Sequence, residues 1–410
     1  MNKINYSRGI LLSLFFLIAC TNENKNKTAS PTELSKGSYG YDASLLKKKT
    51  KQVLELYNAQ GAKVLLSADY QGRVMTSSAA GDSGASFGWL NYDLIASGEK
   101  KKQFNPVGGE ERFWLGPEGG QYGLYFQKGD SFSIEHWQVP AIIDTTSYHL
   151  VHADSSGAVF SKRADIVNYT GSLFSIEITR AIHLLDKNGL EQKLHTTIPR
   201  GVKFVAYQSD NTIKNTGSNA WSKNSGLLSI WLLGMMTPTE ETKVIIPFSP
   251  QPGARSLITD DYFGKISTDR LIVKDSVLYL RCDGKSRGKI GISPLIAKPM
   301  AASFDFKRNI LTILIPEVTK DAPYVNSKWE MQKQPYKGDV INAYNDGPLK
   351  DGSQLGPFYE IESSSPVKEL KGGEPMTYHQ ATAHFQGDYE ALRTLARNIL
   401  HVDLNEIRQW

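Results

Sequence analysis

Three stretches of this sequence place titratable and aromatic side chains close enough together to do chemistry. The first is Gly108-Gly109-Glu110-Glu111-Arg112-Phe113-Trp114-Leu115-Gly116-Pro117-Glu118-Gly119-Gly120, a glycine-bounded loop that holds one arginine, two aromatics and three acids. Such a set is costly to bury unless its charges are paired, and it suits the wall of a polar cleft. Aromatic faces stack on the C–H faces of sugars, while Arg112 and carboxylates such as Glu118 hydrogen-bond hydroxyl groups, with Trp114 as the stacking surface. A surface loop with a structural Arg–Glu pair fits the same composition. The second stretch is Ser133–Pro140, in which Glu135-His136-Trp137 reads as a strand pairing aromatic and titratable groups. His136 is there either an acid–base candidate or a satisfied structural histidine. The third is Phe358-Tyr359-Glu360-Ile361-Glu362-Ser363-Ser364-Ser365-Pro366, followed by Leu370-Lys371-Gly372-Gly373-Glu374 and an alternating strand to Phe385. On a strand Phe358, Glu360 and Glu362 share one face. They are then solvent-facing decoration or the floor of a site, and partial burial would raise a Glu pKa towards neutrality, as a general acid or base requires.

The elements that must carry these residues read as strands. Ser172–Leu185 alternates Phe174, Ile176 and Ile178 with Ser175, Glu177 and Thr179, then turns at Lys187-Asn188-Gly189. Val277–Cys282, Ile310–Ile315, Val340–Tyr344 and Met376–Phe385 are further short apolar or alternating runs, several closed by Asp-Gly. Roughly twenty such segments recur at spacings of about 8–15 residues without intervening helices, the pattern of an antiparallel all-β protein. Helical periodicity is expected only in Ala43–Ala59, whose other face carries Lys47, Lys48, Lys49 and Lys51, and in Asp388–Leu400. The lysine face suits either water or anionic lipid. No composition shift or Pro/Ser-rich linker divides the chain after residue 40, so residues 41–410 are expected to form one domain.

Composition sets outer bounds. The chain has 410 residues, 22% charged and 40% hydrophobic, with a formal charge of +5, two of whose positives (Lys3 and Arg8) lie in the acid-free first nineteen residues. The charge is too small and too dispersed for a nucleic-acid partner. Lys3 and Arg8 precede an apolar run, Ile10–Ala19, that ends at Cys20. Ten helical residues span roughly 15 Å, half a bilayer core, which fits a signal peptide rather than a membrane span. Leu17-Ile18-Ala19-Cys20 resembles the lipobox of bacterial lipoproteins, which implies that residues 1–19 are removed and that Cys20 is diacylated. A plain secretory signal with a chance Cys is the alternative. Residues 20–40, polar and low in hydrophobics, suit a flexible tether. The other cysteine, Cys282, is expected to be buried and inert.

Other motifs in the chain are weak. Gly116–Gly123 has no phosphate-binding Lys and opens no helix. Gly84-Ala85-Ser86-Phe87-Gly88 matches the nucleophile-elbow string without its strand-to-helix setting. His149 with His152, and His379 with His384, lie at odd separations that place each pair on opposite strand faces, so no metal site and no cofactor is expected.

A strand carrying Glu360, then Pro366, then Leu370 to Glu374 and a closing strand ending in Phe385 resembles the C-terminal signature of the galactose mutarotase (aldose 1-epimerase) superfamily. Asn211–Gly217 looks like its strand-and-turn N-x-G element, and the stretch from Gly108 like its early Arg-bearing sugar-binding loop. The whole also resembles an uncharacterised bacterial lipoprotein family with mutarotase-like folds. The resemblance implies an antiparallel β-supersandwich, Glu360 as catalytic base and Arg112 as a sugar-binding residue. It departs where the epimerases place an acidic His: here the stretch is Gly226–Leu232, without one. Glu362 stands at the family's Gln, and Gly372 at the Pro of its turn. The expectation is therefore a lipid-anchored, carbohydrate-binding protein of the cell envelope, on the outer rather than the inner membrane, whose cleft is lined by Arg112, Trp114, Glu118, His136, Glu360 and Glu362. If it is catalytic, Glu360 is the base and His136 the acid. Two alternatives stand beside this: another sugar-processing enzyme, of epimerase, lyase or hydrolase type, and a structural envelope lipoprotein.

Overall fold

The computed structural model describes residues 34–410. The leader, Cys20 and most of the tether lie outside the described residues. Among the described residues nineteen strands form three antiparallel sheets. The largest has ten strands, in the order Leu271–Val273, Val277–Arg281, Thr242–Pro247, Ala301–Asp305, Ile310–Pro316, Pro375–Gln386, Lys203–Asn215, Leu173–Leu184, Gly157–Val167 and His149–Ala153. A six-stranded sheet runs Ile258–Thr259, Gly288–Ile292, Ile341–Asn345, Tyr359–Ser364, Ser229–Met236 and Arg112–Gly116. A three-stranded sheet of Val53–Tyr57, Lys63–Ser67 and Arg73–Ser78 completes the set.

Side-chain alternation explains how the two larger sheets pack. On Tyr359–Ser364 the odd-numbered residues face the ten-stranded sheet. The Tyr359 hydroxyl lies 2.8 Å from Ser303 Oγ, Ser363 Oγ donates to Gln380 Oε1 at 2.5 Å, and Ile361 packs with Val244, Leu278 and Leu314. Fully burying each such aliphatic side chain contributes about 1.5–3 kcal/mol, which fixes the register, since a one-residue slip would turn the whole set outwards. The even-numbered Glu360 and Glu362 therefore face away from the sandwich interior.

That interior is not wholly apolar. Arg180 donates from Nη2 to Glu111 Oε1 at 2.8 Å with both side chains fully buried, and Gln380 Nε2 donates to Glu111 Oε2 at 2.9 Å. His384 lies between Glu110 (2.7 Å) and Thr312 (2.8 Å), its ring stacked on Phe87 at 4.4 Å. The expected opposition of His379 and His384 is present: His379 lies on the outer face, against Asp210 at 2.6 Å. For His149 and His152 a bulge between Leu150 and His152 breaks the alternation, and both are exposed.

Three local expectations need correction. The helix read over Ala43–Ala59 is Tyr39–Lys49, and Val53–Tyr57 is a strand. Leu54 and Leu56 fit a period of two as well as one of 3.6, and pairing with Lys63–Ser67 decides between them. The three lysines of the last turn are exposed at the end of the helix that favours cations. Lys187-Asn188-Gly189 opens a helix, Lys187–Leu194, because the Asp186 carboxylate accepts the Gly189 N–H at 2.8 Å as an N-cap. The stretch from Gly108 is not a surface loop: residues 108–116 are all buried, and Arg112–Gly116 is a strand. The C-terminal helix is present as Tyr389–Leu400, capped by Asp388.

Cys282 is fully buried, and burial pushes its thiol well above the ordinary range. Native protein treated with an aromatic disulfide reagent is expected to show no adduct on the Cys282 peptide, with complete modification in denaturant. Rapid native labelling of that peptide would contradict this packing.

Candidate functional site: a charged and aromatic cleft

The outer face of the six-stranded sheet builds the site by register. Glu360 pairs with Tyr344 on one side and Met235 on the other; Glu362 pairs with Asn342 and Leu233. Arg112 in turn pairs with Leu233, Trp114 with Trp231, and Lys289 with Tyr344. Alternation sends these side chains to the same face, where all but Asn342 floor a cavity of about 500 Å³. Loops supply the walls: Phe104, Glu118, Trp137, Phe263 and Trp329. Gly108 and Gly109 let the Arg112 strand enter. Both have positive φ, and a Cβ at Gly108 would lie 2.0 Å from the Trp89 carbonyl oxygen.

Two ion pairs lie side by side on this floor. Arg112 Nη2 donates to Glu360 Oε1 in a buried pair, and Lys289 Nζ donates to Glu362 Oε2 at 2.8 Å. Indole N–H groups add to them: Trp231 Nε1 donates to Glu362 Oε2 and Trp137 Nε1 to Glu118 Oε1, each at 2.9 Å. The Arg112 guanidinium lies 4.8 Å from the centroid of the Trp114 ring, which packs edge-on to Trp231 at 5.6 Å. Hydrogen-bonding capacity is left over: Arg112 Nε and Nη1, Trp114 Nε1 and Glu362 Oε1 are buried without a protein partner. Among the described residues no group of three or more His, Cys, Asp or Glu is arranged to hold a metal ion.

Burial dominates the electrostatics. It pushes the Glu360 carboxyl up to about 8, against the opposing pull of Arg112 and with the negative charge of Glu362 adding to the rise. Glu118 and Asp346 are raised for the same first reason. Burial works to lower Lys289, yet Glu362, Glu118 and Glu360 around it hold it above the usual lysine range. The folded protein thus keeps the Glu360 proton to higher pH than the unfolded chain, which releases it near 4.5. The stabilising contribution is complete below that value and lost as pH rises through about 8. The melting temperature is expected to fall between pH 5 and pH 8.5, with a shallower fall in Glu360→Gln. A parallel slope in that variant would contradict this assignment.

Five of the six expected cleft residues meet here: Arg112, Trp114, Glu118, Glu360 and Glu362. His136 does not. The segment expected as a strand is a turn, with the N–H groups of His136 and Trp137 both directed to the Ser133 carbonyl at 3.1 Å. Side chains in a turn do not alternate, so Trp137 enters the cleft while His136 is exposed, its Nδ1 3.0 Å from Ser131 Oγ, beside a separate cavity. Sequence reading missed Lys289, Trp231, Trp329 and Arg287. Lys289 had a signal, as a lone charge within the apolar run Gly288–Ile292; Trp231 had one in the alternation of Ser229–Met236. The N-x-G element and the Leu370–Glu374 turn meet each other rather than the cleft: Asn215 Nδ2 donates to the Leu370 carbonyl at 2.9 Å.

The family described as "Family of unknown function (DUF6786)" matches residues 37–410. The chain belongs to DUF6786. No curated protein matches it significantly. Among solved structures this DUF6786 chain is similar to a protein of Synechocystis sp. PCC 6803, at 10% identity over 83% of this chain and 98% of that one, with a TM-score of 0.50. It is also similar to a galactose mutarotase-like protein from Lactobacillus casei (9% identity, 82% and 99% coverage, TM-score 0.45) and to a galactose mutarotase related enzyme from Lactobacillus acidophilus (8%, 82% and 97%, 0.43). At such identities the likeness is one of fold: a DUF6786 chain built of antiparallel sheets with few helices.

Proposed function

We propose that this protein binds carbohydrate in the cleft on its six-stranded sheet and is held at the cell envelope by lipid on Cys20. The observation that carries the reading is the buried Arg112–Glu360 pair at the floor of a cavity whose lining includes four tryptophans, Trp114, Trp137, Trp231 and Trp329. Indole surfaces match the apolar faces of sugar rings, and a carboxylate beside a guanidinium offers an acceptor and donors to neighbouring hydroxyl groups. The carboxyls of Glu118, Glu360 and Glu362 and the Lys289 ammonium, all in the lining, are the polar groups such hydroxyls would meet. Calorimetric titration with a panel of mono- and oligosaccharides tests this: saturable binding supports it, and indifference to every sugar rejects it.

A second reading, a sugar-processing enzyme, is favoured by one observation: a Glu360 carboxyl raised to about 8 is tuned to exchange protons. Opening a pyranose also requires a proton donor at the ring oxygen. Among the described residues no histidine lines the cleft, and Lys289, held above its ordinary range, gives up its proton poorly at neutral pH. With no histidine at the family's acid position, binding without turnover is the expected outcome, Glu118 and Asp346 being the raised carboxyls that remain in the lining. Accelerated anomer exchange of freshly dissolved α-glucose or α-galactose, followed by NMR, would favour the enzyme.

The anchoring rests on the sequence around Leu17–Cys20. Cys20→Ser is expected to move the protein from the membrane fraction to the soluble fraction. A continued need for detergent would reject the lipid on Cys20.

A further inference from the structure

The cleft has a second lobe. Next to the cavity floored by Arg112 and Glu360 lies another of about 370 Å³, whose own lining includes Tyr262, Asp339, Asn342, Ser327 and Lys328. The two share Glu118, Trp231, Phe263, Arg287, Lys289 and Trp329 among others, so they adjoin across these side chains as two lobes of one groove region. Each lobe, at about 370 and about 500 Å³, is within the range of about 300–1,000 Å³ typical of small-molecule sites.

The chemistry of the first lobe recurs in the second. Tyr262 donates its hydroxyl to Asp339 Oδ2 at 2.7 Å, and Lys328 Nζ lies 3.3 Å from Asp261, so donors and acceptors stand beside an aromatic ring while charge stays balanced. At the division the Arg287 guanidinium lies 3.8 Å from the centroid of the Phe263 ring and has no carboxylate partner among the described residues. Arg287 lines both lobes, and a planar cation at that position suits the linkage between two polar units. A single ring seated on Arg112 and Glu360 would leave the second lobe filled only with water.

We infer that the ligand is an oligosaccharide, with linked sugar units in both lobes of the groove, rather than a free monosaccharide. This rests on the carbohydrate reading above and specifies its substrate class. Groups in the second lobe add affinity only when a chain is long enough to reach them.

Calorimetry on the full chain tests this, with glucose, galactose and N-acetylglucosamine and the di-, tri- and tetrasaccharides built from each. Affinity for the sugar that binds is expected to rise about tenfold or more from monosaccharide to di- or trisaccharide, then to level off once both lobes are filled. Lys328→Ala and Tyr262→Phe, both confined to the second lobe, are expected to compress that ratio several-fold. Equal affinity at every length, or variants that weaken mono- and oligosaccharide binding alike, would overturn the inference while leaving carbohydrate binding intact. Absence of binding by every compound would overturn the carbohydrate reading, and this one with it.

Discussion

At pH 9, where the Glu360 carboxyl is ionised, Glu360→Gln is expected to reduce glycan affinity by on the order of a hundredfold or more, the scale for removing one charged partner from a desolvated recognition site. Glutamine preserves shape and can still accept one hydrogen bond from Arg112. It cannot balance the guanidinium, which is 2% exposed and keeps Nε and Nη1 unpaired. The same change is expected to cost little stability below pH 8, because the folded state already favours the neutral carboxyl there and the Trp114 face beside Arg112 remains. The two effects separate in the double variant Arg112→Met with Glu360→Gln. Removing both charges should keep the melting temperature close to that of the wild type without restoring binding. Recovery of binding along with stability would mean that the pair only supports the fold.

Arg180→Met is expected to give the largest loss of stability outside the cleft. Arg180 and Glu111 are both fully buried between the sheets, and Glu111 takes its other hydrogen bond from Gln380. Without the guanidinium the Glu111 carboxylate is left unpaired in the interior, at about 3–5 kcal/mol, which corresponds to a fall in melting temperature of about 4–6 °C for a domain of this size. Burial already raises the Glu111 pKa, and loss of the neighbouring cation raises it further. The loss should therefore be smaller at pH 5 than at pH 8, where more of the work of protonating Glu111 falls on the folded state. An unchanged melting temperature at pH 8 would show that the pair contributes nothing net.

Much of the strand content was legible because period-two alternation is local. Ser172–Leu185, Ile310–Ile315 and Met376–Phe385 coincide with observed strands to within a residue or two. The shared face of Phe358, Glu360 and Glu362 follows from the same alternation, and all three line the cleft. The meeting of Arg112 and Glu360, 248 positions apart, has no local signature. It depends on Tyr359–Ser364 and Arg112–Gly116 both pairing with Ser229–Met236, and it came into view through a family resemblance. His136 was misplaced for the converse reason: a turn held by Ser133 breaks the alternation on which its position was argued. Lys289 and Trp231 were overlooked because each is a single residue in an apolar run, distinguished only once the strand order shows which face is the cleft. The leucines of Val53–Tyr57 satisfy the helical and the strand period at once, and only the partner strand Lys63–Ser67 decides between them.

Four of the seven tryptophans line the cleft, so sugar binding should be visible in their emission. Titrating the oligosaccharide series into the protein at pH 9 while following tryptophan fluorescence tests the central claim most directly. The account predicts a saturable change in intensity or wavelength that is absent in Glu360→Gln. Emission unchanged by every glycan, or a change that persists undiminished in that variant, would contradict it.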